Sequence, residues 1–313
     1  MKKLLIYSIL FSSLVAAAQK STYNITRENT DMKCIYGKIA LLDALISTSR
    51  MSFAAGVGTR MYFNGLYVAT NYDFHYADGL AEASSTENVQ GTSVFKRQKS
   101  RNADIVGGYF FQKKKTDGKV RINLKNGHNS TTYTMVDAEY NKLFGAQVGF
   151  KNGFSYLVVP RGVTVANYYN ESAGTFETDN GMTTIMKYSW LTIGGTIGKT
   201  VDVEANFSEY GIKGAHYLRR IYANVIIAVK SELEDVYFTA NHGSSNEMVK
   251  RYVLDGNVDM SKFGFNVGYE TFSLKKCGLV TSLETGMMPG IKGSGSGNFY
   301  LGFRVGLVIG KTL

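Results

Sequence analysis

The segment FYLGFRVGLVIG, residues 299–310, places an apolar side chain at every odd position: Phe299, Leu301, Phe303, Val305, Leu307 and Ile309. The even positions hold Tyr300, Gly302, Arg304, Gly306, Val308 and Gly310. Successive side chains of a strand point to opposite sides of the sheet, so a period of two marks a strand with unlike faces. The same period recurs upstream. Leu66, Val68, Thr70, Tyr72, Phe74 and Tyr76 alternate with Tyr67, Ala69, Asn71, Asp73 and His75. Phe263, Phe265, Val267 and Tyr269 oppose Gly264, Asn266, Gly268 and Glu270; Phe144, Ala146, Val148 and Phe150 oppose Gly145, Gln147 and Gly149. Ile221, Ala223, Val225 and Ile227 face away from Arg220 and Asn224, and Val120, Ile122 and Leu124 from Lys119, Arg121 and Lys125.

Alternation alone fits two architectures. In a soluble sandwich the apolar face is the core, whereas in a membrane barrel it meets lipid and the polar face lines the lumen. Strand length favours the barrel. Residues 66–76, 261–273 and 298–310 each sustain the pattern for more than ten residues, whereas an average strand has about 5–6 and a tilted membrane strand needs roughly 9–11. Aromatics also cluster at the ends of the apolar faces, as at Tyr72, Phe74 and Tyr76, in the manner of an interfacial girdle. Composition agrees: 34 Gly, 2 Pro, 21 Tyr and 18 Phe exclude both a disordered chain and a long helical bundle.

Residues 1–18 have the three parts of a secretory signal peptide: Lys2 and Lys3, an apolar run from Leu4 to Val15, and the small residues Ala16, Ala17 and Ala18. Residues 19–313 are then the mature chain, expected to be a single domain. Removing Lys2 and Lys3 lowers the formal charge from +10 to +8. Export argues against nucleic acid as the partner of that charge.

With its signal peptide and closing strand at 299–310, the chain resembles the outer-membrane β-barrel proteins of Gram-negative bacteria, especially the Bacteroidota type. The resemblance implies an all-β, closed antiparallel transmembrane barrel in the cell outer membrane. Its expected partners are outer-membrane lipid, the barrel-assembly machinery and other outer-membrane proteins. Many such barrels end on an aromatic residue, and this chain ends Lys311-Thr312-Leu313.

Tight turns are expected at Asn64-Gly65, Asp117-Gly118, Asn152-Gly153 and Lys275-Lys276. These divide the chain into strands near 33–42, 49–58, 66–76, 103–113, 119–126, 132–150, 154–169, 182–197, 200–208, 216–229, 233–241, 261–273, 277–285 and 298–310. The expectation is therefore about 14 strands, with 12 as the alternative. Residues 39–47 fit either a strand or a short helix in the lumen.

No constellation announces catalysis. Asp73 and His75 share a face at i, i+2, which suits a hydrogen bond better than a base with its orienting carboxylate, because no serine stands out as partner. Residues 194–200 lack the first glycine of a phosphate-binding loop and read as a turn. No metal site, cofactor or enzymatic activity is expected. The lumen-lining candidates are Asp73, His75, Lys119, Arg121, Lys125, Gln147, Arg220, Asn224, Glu270 and Arg304. With Lys187 and Lys262 included, cations outnumber Asp73, Glu270 and Glu284 on the inward faces. The leading expectation is a passive channel for small polar or anionic solutes. The alternative is a closed structural or surface-binding barrel within an outer-membrane assembly. Cys34 and Cys277 are expected to stay free thiols, two strand spacings apart, with Cys277 buried against lipid or its neighbours. Gly306→Ser on the inner face is expected to be tolerated much better than Leu307→Arg on the outer one, which should cost roughly 2–4 kcal/mol.

Overall fold

The computed structural model describes residues 22–29, 33–47, 51–78, 100–126, 131–158, 168–170, 175–177, 183–234, 236–240, 248–253, 259–292 and 298–312. The predicted signal peptide lies outside these residues. The strands are β1 (Tyr23–Glu28), β2 (Cys34–Ser47), β3 (Met51–Phe63), β4 (Leu66–Asp78), β5 (Arg101–Asn126), β6 (Thr131–Val158), β7 (Tyr168–Asn170) and β8 (Thr175–Glu177). They continue with β9 (Thr183–Phe207), β10 (Gly211–Leu233), β11 (Val236–Ala240), β12 (Met248–Val253), β13 (Phe263–Ser273), β14 (Cys277–Met287) and β15 (Phe299–Thr312).

Ten strands close into an antiparallel ring in the order β2-β3-β4-β5-β6-β9-β10-β13-β14-β15, with β15 paired back to β2. β1 pairs with β9 outside the ring, and β11, β12, β7 and β8 form a separate small sheet. The count of ten corrects the expected 14 or 12. Three expected breaks do not exist. Asp117-Gly118 lies inside β5, opposite Glu139 and Ala138. Asn152-Gly153 lies inside β6, opposite Ser189 and Tyr188. Residues 194–200 run straight through β9. The expected strand at 233–241 is β11, which belongs to the small sheet. Two turns stand as read. Asn64 and Gly65 adopt φ of 50° and 90° between β3 and β4, as a two-residue hairpin of this hand requires, and residues 274–276 join β13 to β14. Residues 34–47 are a ring strand, not a lumen helix.

The apolar faces point outward. On β4, Leu66, Phe74 and Tyr76 are about half exposed, while Tyr67, Ala69, Asn71, Asp73 and His75 are buried. The same division holds for Phe144, Val148 and Phe150 on β6, Ile193 and Ile197 on β9, Ile221 and Val225 on β10, and Phe299, Leu301 and Phe303 on β15. A sandwich would bury these faces. Here they form a belt around a polar interior.

At the end of the ring carrying the short turns, two hairpins continue past their neighbours. β5 last pairs with β4 at Tyr109, and β6 last pairs with β9 at Asn141. Beyond these points the outward face changes its surroundings. The parity exposed at Phe144 and Ile197 becomes buried at Val136, Ala138, Val201, Val203 and Ala205. Val120, Ile122, Leu124, Phe207 and Ala215 join them in a second apolar core outside the ring. Each Val, Ile, Leu and Phe side chain of this core contributes about 1.5–3 kcal/mol when fully buried, so the extension has apolar packing of its own.

β1 takes the edge of β9 that β6 has left, pairing Tyr23 with Phe207 and Glu28 with Val203. Arg27 Nη2 lies 3.0 Å from Asp202 Oδ2, and His216 Nδ1 lies 2.6 Å from the other carboxylate oxygen. Burial pushes the Asp202 carboxyl up, but the His216 hydrogen bond and the Arg27 charge outweigh it and hold the group below the usual aspartate range. Such a carboxylate adds stability above its unfolded pKa of roughly 3.9 and loses it as pH falls through the lower folded value. Acidification through that window should release β1, read as lost deuterium-exchange protection at residues 23–28 while residues 193–197 stay protected. Unchanged protection of β1 across the acid range would remove Asp202 as its latch.

The surroundings of Gly306 and of the two cysteines refine two smaller expectations. A Cβ added at Gly306 would lie 2.4 Å from the Ile39 carbonyl oxygen and 3.0 Å from Ala40 Cα, at the bulge between β15 and β2. Backbone, not a flexible side chain, blocks the space. Gly306→Ser should therefore destabilise by roughly 1–3 kcal/mol, the usual cost of overpacking, and a urea midpoint equal to wild type would contradict this. Cys34 and Cys277 are both free and lie on strands separated by β15, as expected; Cys34 is buried among protein side chains, and Cys277 is exposed at the protein surface rather than packed against its neighbours. Alkylation of the folded protein should add one label, at Cys277, and denaturation should add the second.

Candidate functional site: the barrel interior

Inward side chains fill the interior in two kinds of layer. Nearest the short turns the layer is apolar. Tyr36, Tyr62, Tyr67, Phe110, Leu143, Leu218, Phe272, Val280 and Val308 pack into one buried cluster with Cys34 and Ala69. These residues come from nine of the ten ring strands, β9 alone giving none, so the cluster reaches across the barrel's cross-section. The Tyr36 hydroxyl donates to the Leu274 carbonyl at 2.5 Å, which fixes the ring against the β13–β14 turn.

Above this apolar layer the interior is ionic. Glu270 accepts from Arg60 Nε at 2.7 Å on one oxygen and from Arg220 Nε and Nη2 at 2.8 and 2.6 Å on the other. The Tyr67 hydroxyl adds a bond to the second oxygen at 3.2 Å, and its ring lies 4.1 Å beneath the Arg220 guanidinium. All three charged groups are buried. Arg220 Nη1 also donates to Gln147, which donates to Asn224, which donates to Asn266, at 2.9, 2.8 and 2.8 Å. Register explains the chain: Asn224 faces Asn266 across β10 and β13, and Arg220 faces Glu270 on the same pair of strands. A second centre joins Arg304 to Asp43 and, at 2.9 Å, to Asp73. Lys38 donates to Asn71, Asn71 to Asp104, and the Tyr222 and Tyr300 hydroxyls to Glu284. A cavity of about 150 Å³ remains among these groups.

Of the residues expected on the lumen face, Asp73, His75, Gln147, Arg220, Asn224 and Glu270 are buried here, and Arg304 is 19% exposed at its side chain. Asp73 and His75 serve different partners: Asp73 holds Arg304, and His75 meets Asn102 at 2.8 Å. Lys119, Arg121 and Lys125 are placed elsewhere. They lie on β5 beyond its pairing with β4, exposed on the hairpin outside the ring. Their parity matches the lumen side, but the barrel has already ended. Lys187 and Lys262 are exposed as well. Lys38, Asp43, Arg60 and Asp104 were not anticipated. Arg60 was within reach, because the Asn64-Gly65 hairpin pairs Tyr62 with Tyr67 and so extends β3 past residue 58 with Arg60 on the inner face.

These placements change the charge balance. Lys38, Arg60, Lys151, Arg220 and Arg304 stand among Asp43, Asp73, Asp104, Glu270 and Glu284, five of each sign among the described interior groups. Among the described residues the excess of positive charge lies outside the ring. Among the described residues no three His, Cys, Asp or Glu side chains gather as a metal site. No family model matches the chain, and no curated protein matches it.

Proposed function

We propose that the protein is a closed β-barrel of the outer membrane that acts as a structural or docking subunit of a larger assembly. The apolar stopper carries this reading. A channel for polar solutes needs a continuous watered path, and here tyrosine, phenylalanine and aliphatic side chains pack together across one end. The balanced charges above it also give no basis for anion preference. The exposed belt supports the membrane setting, since soluble monomers rarely expose contiguous apolar patches above a few hundred Å². By analogy with other such barrels, the short-turn end would face the periplasm. The extension built there, with its own core and β1 docked on it, offers a folded platform to another protein. Outer-membrane lipid, the barrel-assembly machinery and other outer-membrane proteins are the partners this reading implies.

Reconstitution into planar bilayers is the direct test. Protein shown to be folded by its heat-dependent gel mobility should give no stepped currents. Reproducible stepped conductance would overturn the closed reading and restore the channel.

A further inference from the structure

Four cations stand directly opposite one another on adjacent strands. Lys114 faces Lys142 across β5 and β6, Lys142 faces Lys199 across β6 and β9, and Lys199 faces Arg219 across β9 and β10. At about 4.8 Å per strand the row is roughly 14 Å long. Like charges placed directly opposite are destabilising, and among the described residues none of the four has a carboxylate within 4.0 Å. Lys199 is held over the Tyr140 ring at 3.6 Å, and Arg219 over the Tyr217 ring at 4.2 Å.

The level of the row is the second observation. Two residues to one side, on the same outward face, stand Phe144, Ile197 and Ile221 of the exposed belt. Two residues to the other side stand Tyr140, Val201 and Tyr217, already packed into the second core. The row therefore marks the border where the belt ends. Beside it opens a third feature, a cavity of about 840 Å³ between β5 and β10. Arg121, Lys125, Lys213, Arg219 and Lys275 line it, and no Asp or Glu is among its described lining residues.

We infer that this row and the adjoining basic cavity bind the phosphate-bearing head groups of anionic phospholipids in the leaflet on the short-turn side. The inference rests on the membrane reading above. Acyl chains would lie along Phe144, Ile197 and Ile221, the phosphate would meet Lys142, Lys199 and Arg219, and the cavity would take the rest of the head group. A lipid phosphate supplies the counter-charge that no described residue provides to the row, and the continuity of belt and row favours a lipid over a free anion. The stacked tyrosines hold two of the cations in place before any ligand arrives.

The test uses the full mature chain, folded in a neutral detergent, with dioctanoyl phosphatidylglycerol, dioctanoyl phosphatidylcholine and inorganic phosphate as separate probes, read by native mass spectrometry. Wild type should retain phosphatidylglycerol over phosphatidylcholine. Lys142→Gln with Lys199→Gln and Arg219→Gln should reduce that retention roughly 100-fold, given about 1 kcal/mol for each basic residue near an anionic surface. A control with equal charge loss, Lys187→Gln with Lys230→Gln and Lys292→Gln, removes exposed lysines that pair with Glu234, Glu232 and Asp259, and should leave it unchanged. Equal retention of the two lipids, equal loss in both variants, or displacement of phosphatidylglycerol by equimolar inorganic phosphate would each overturn the lipid site. Bilayer insertion, followed in parallel by vesicle co-flotation of wild type and both variants, separates these outcomes from failure of the membrane reading.

Discussion

Glu270→Gln should lower the unfolding free energy of the barrel by about 3–5 kcal/mol, the usual cost of removing one partner from a buried ion pair. The group stands between two guanidiniums, at 2.7 Å from Arg60 and 2.6 Å from Arg220, with all three side chains no more than 6% exposed. A neutral amide keeps some hydrogen bonding but leaves two cations facing each other without their counter-charge. The loss comes from those stranded cations rather than from any large net gain in the native triad. Replacing Arg60, Arg220 and Glu270 together with methionine should therefore restore most of it, because the triad's attraction is largely offset by desolvation. Urea titrations in lipid vesicles, followed by gel mobility without boiling, measure both variants. A loss below about 1 kcal/mol in Glu270→Gln would mean that water reaches the triad, and would weaken the closed reading with it.

The triad also shows where sequence reading stops. Period two was legible in almost every ring strand, and with it the identity of each inner face. Arg220, Glu270, Gln147 and Asn224 could be assigned to one side by parity alone. Which of them meet depends on register, and register depends on where strands begin and end. There the turn code misled. Asp117-Gly118 and Asn152-Gly153 have the composition of hairpin turns, yet both run through long strands. Their glycines answer to crowding instead. A Cβ at Gly153 would sit 2.5 Å from the Arg101 carbonyl oxygen, and one at Gly118 would sit 3.0 Å from the Tyr140 ring. In one dimension, a glycine that lets two strands approach looks the same as a glycine that reverses the chain.

The second core was hidden for a related reason. Val120, Ile122 and Leu124 continue the alternation seen on the belt, and nothing in the pattern marks the point where lipid-facing surface would give way to protein. That point is set by the lengths of the neighbouring strands: β4 begins at Leu66, after a two-residue turn, while β5 runs on to Asn126. Reading Lys119, Arg121 and Lys125 as lumen groups followed from assuming that strand and barrel end together. Their true place, outside the ring, moves their positive charge from a supposed channel to the extension beyond the belt.

Whether that belt meets lipid is decided by a single outward position. Val225 is 52% exposed on β10, between Ile193 on β9 and Phe265 on β13, which are themselves 49% and 45% exposed. If this face lies in hydrocarbon, Val225→Arg places a charge where no water can solvate it, and should cost about 2–4 kcal/mol in vesicles. If the face lies in water, the same change at a half-exposed surface site should fall within about 0.5 kcal/mol of wild type. Ile212 supplies the internal control. It is 64% exposed on the same strand but lies beyond the ring, opposite Asn206 on the extension. Ile212→Arg adds the same side chain to a strand of the same sheet, so intrinsic strand preference is matched in kind and only the surroundings differ. A large penalty at Val225 with little or none at Ile212 places the belt in lipid and the extension in water. Near-equal penalties at the two sites would instead describe a water-soluble barrel, and the docking role would then have to be sought away from a membrane.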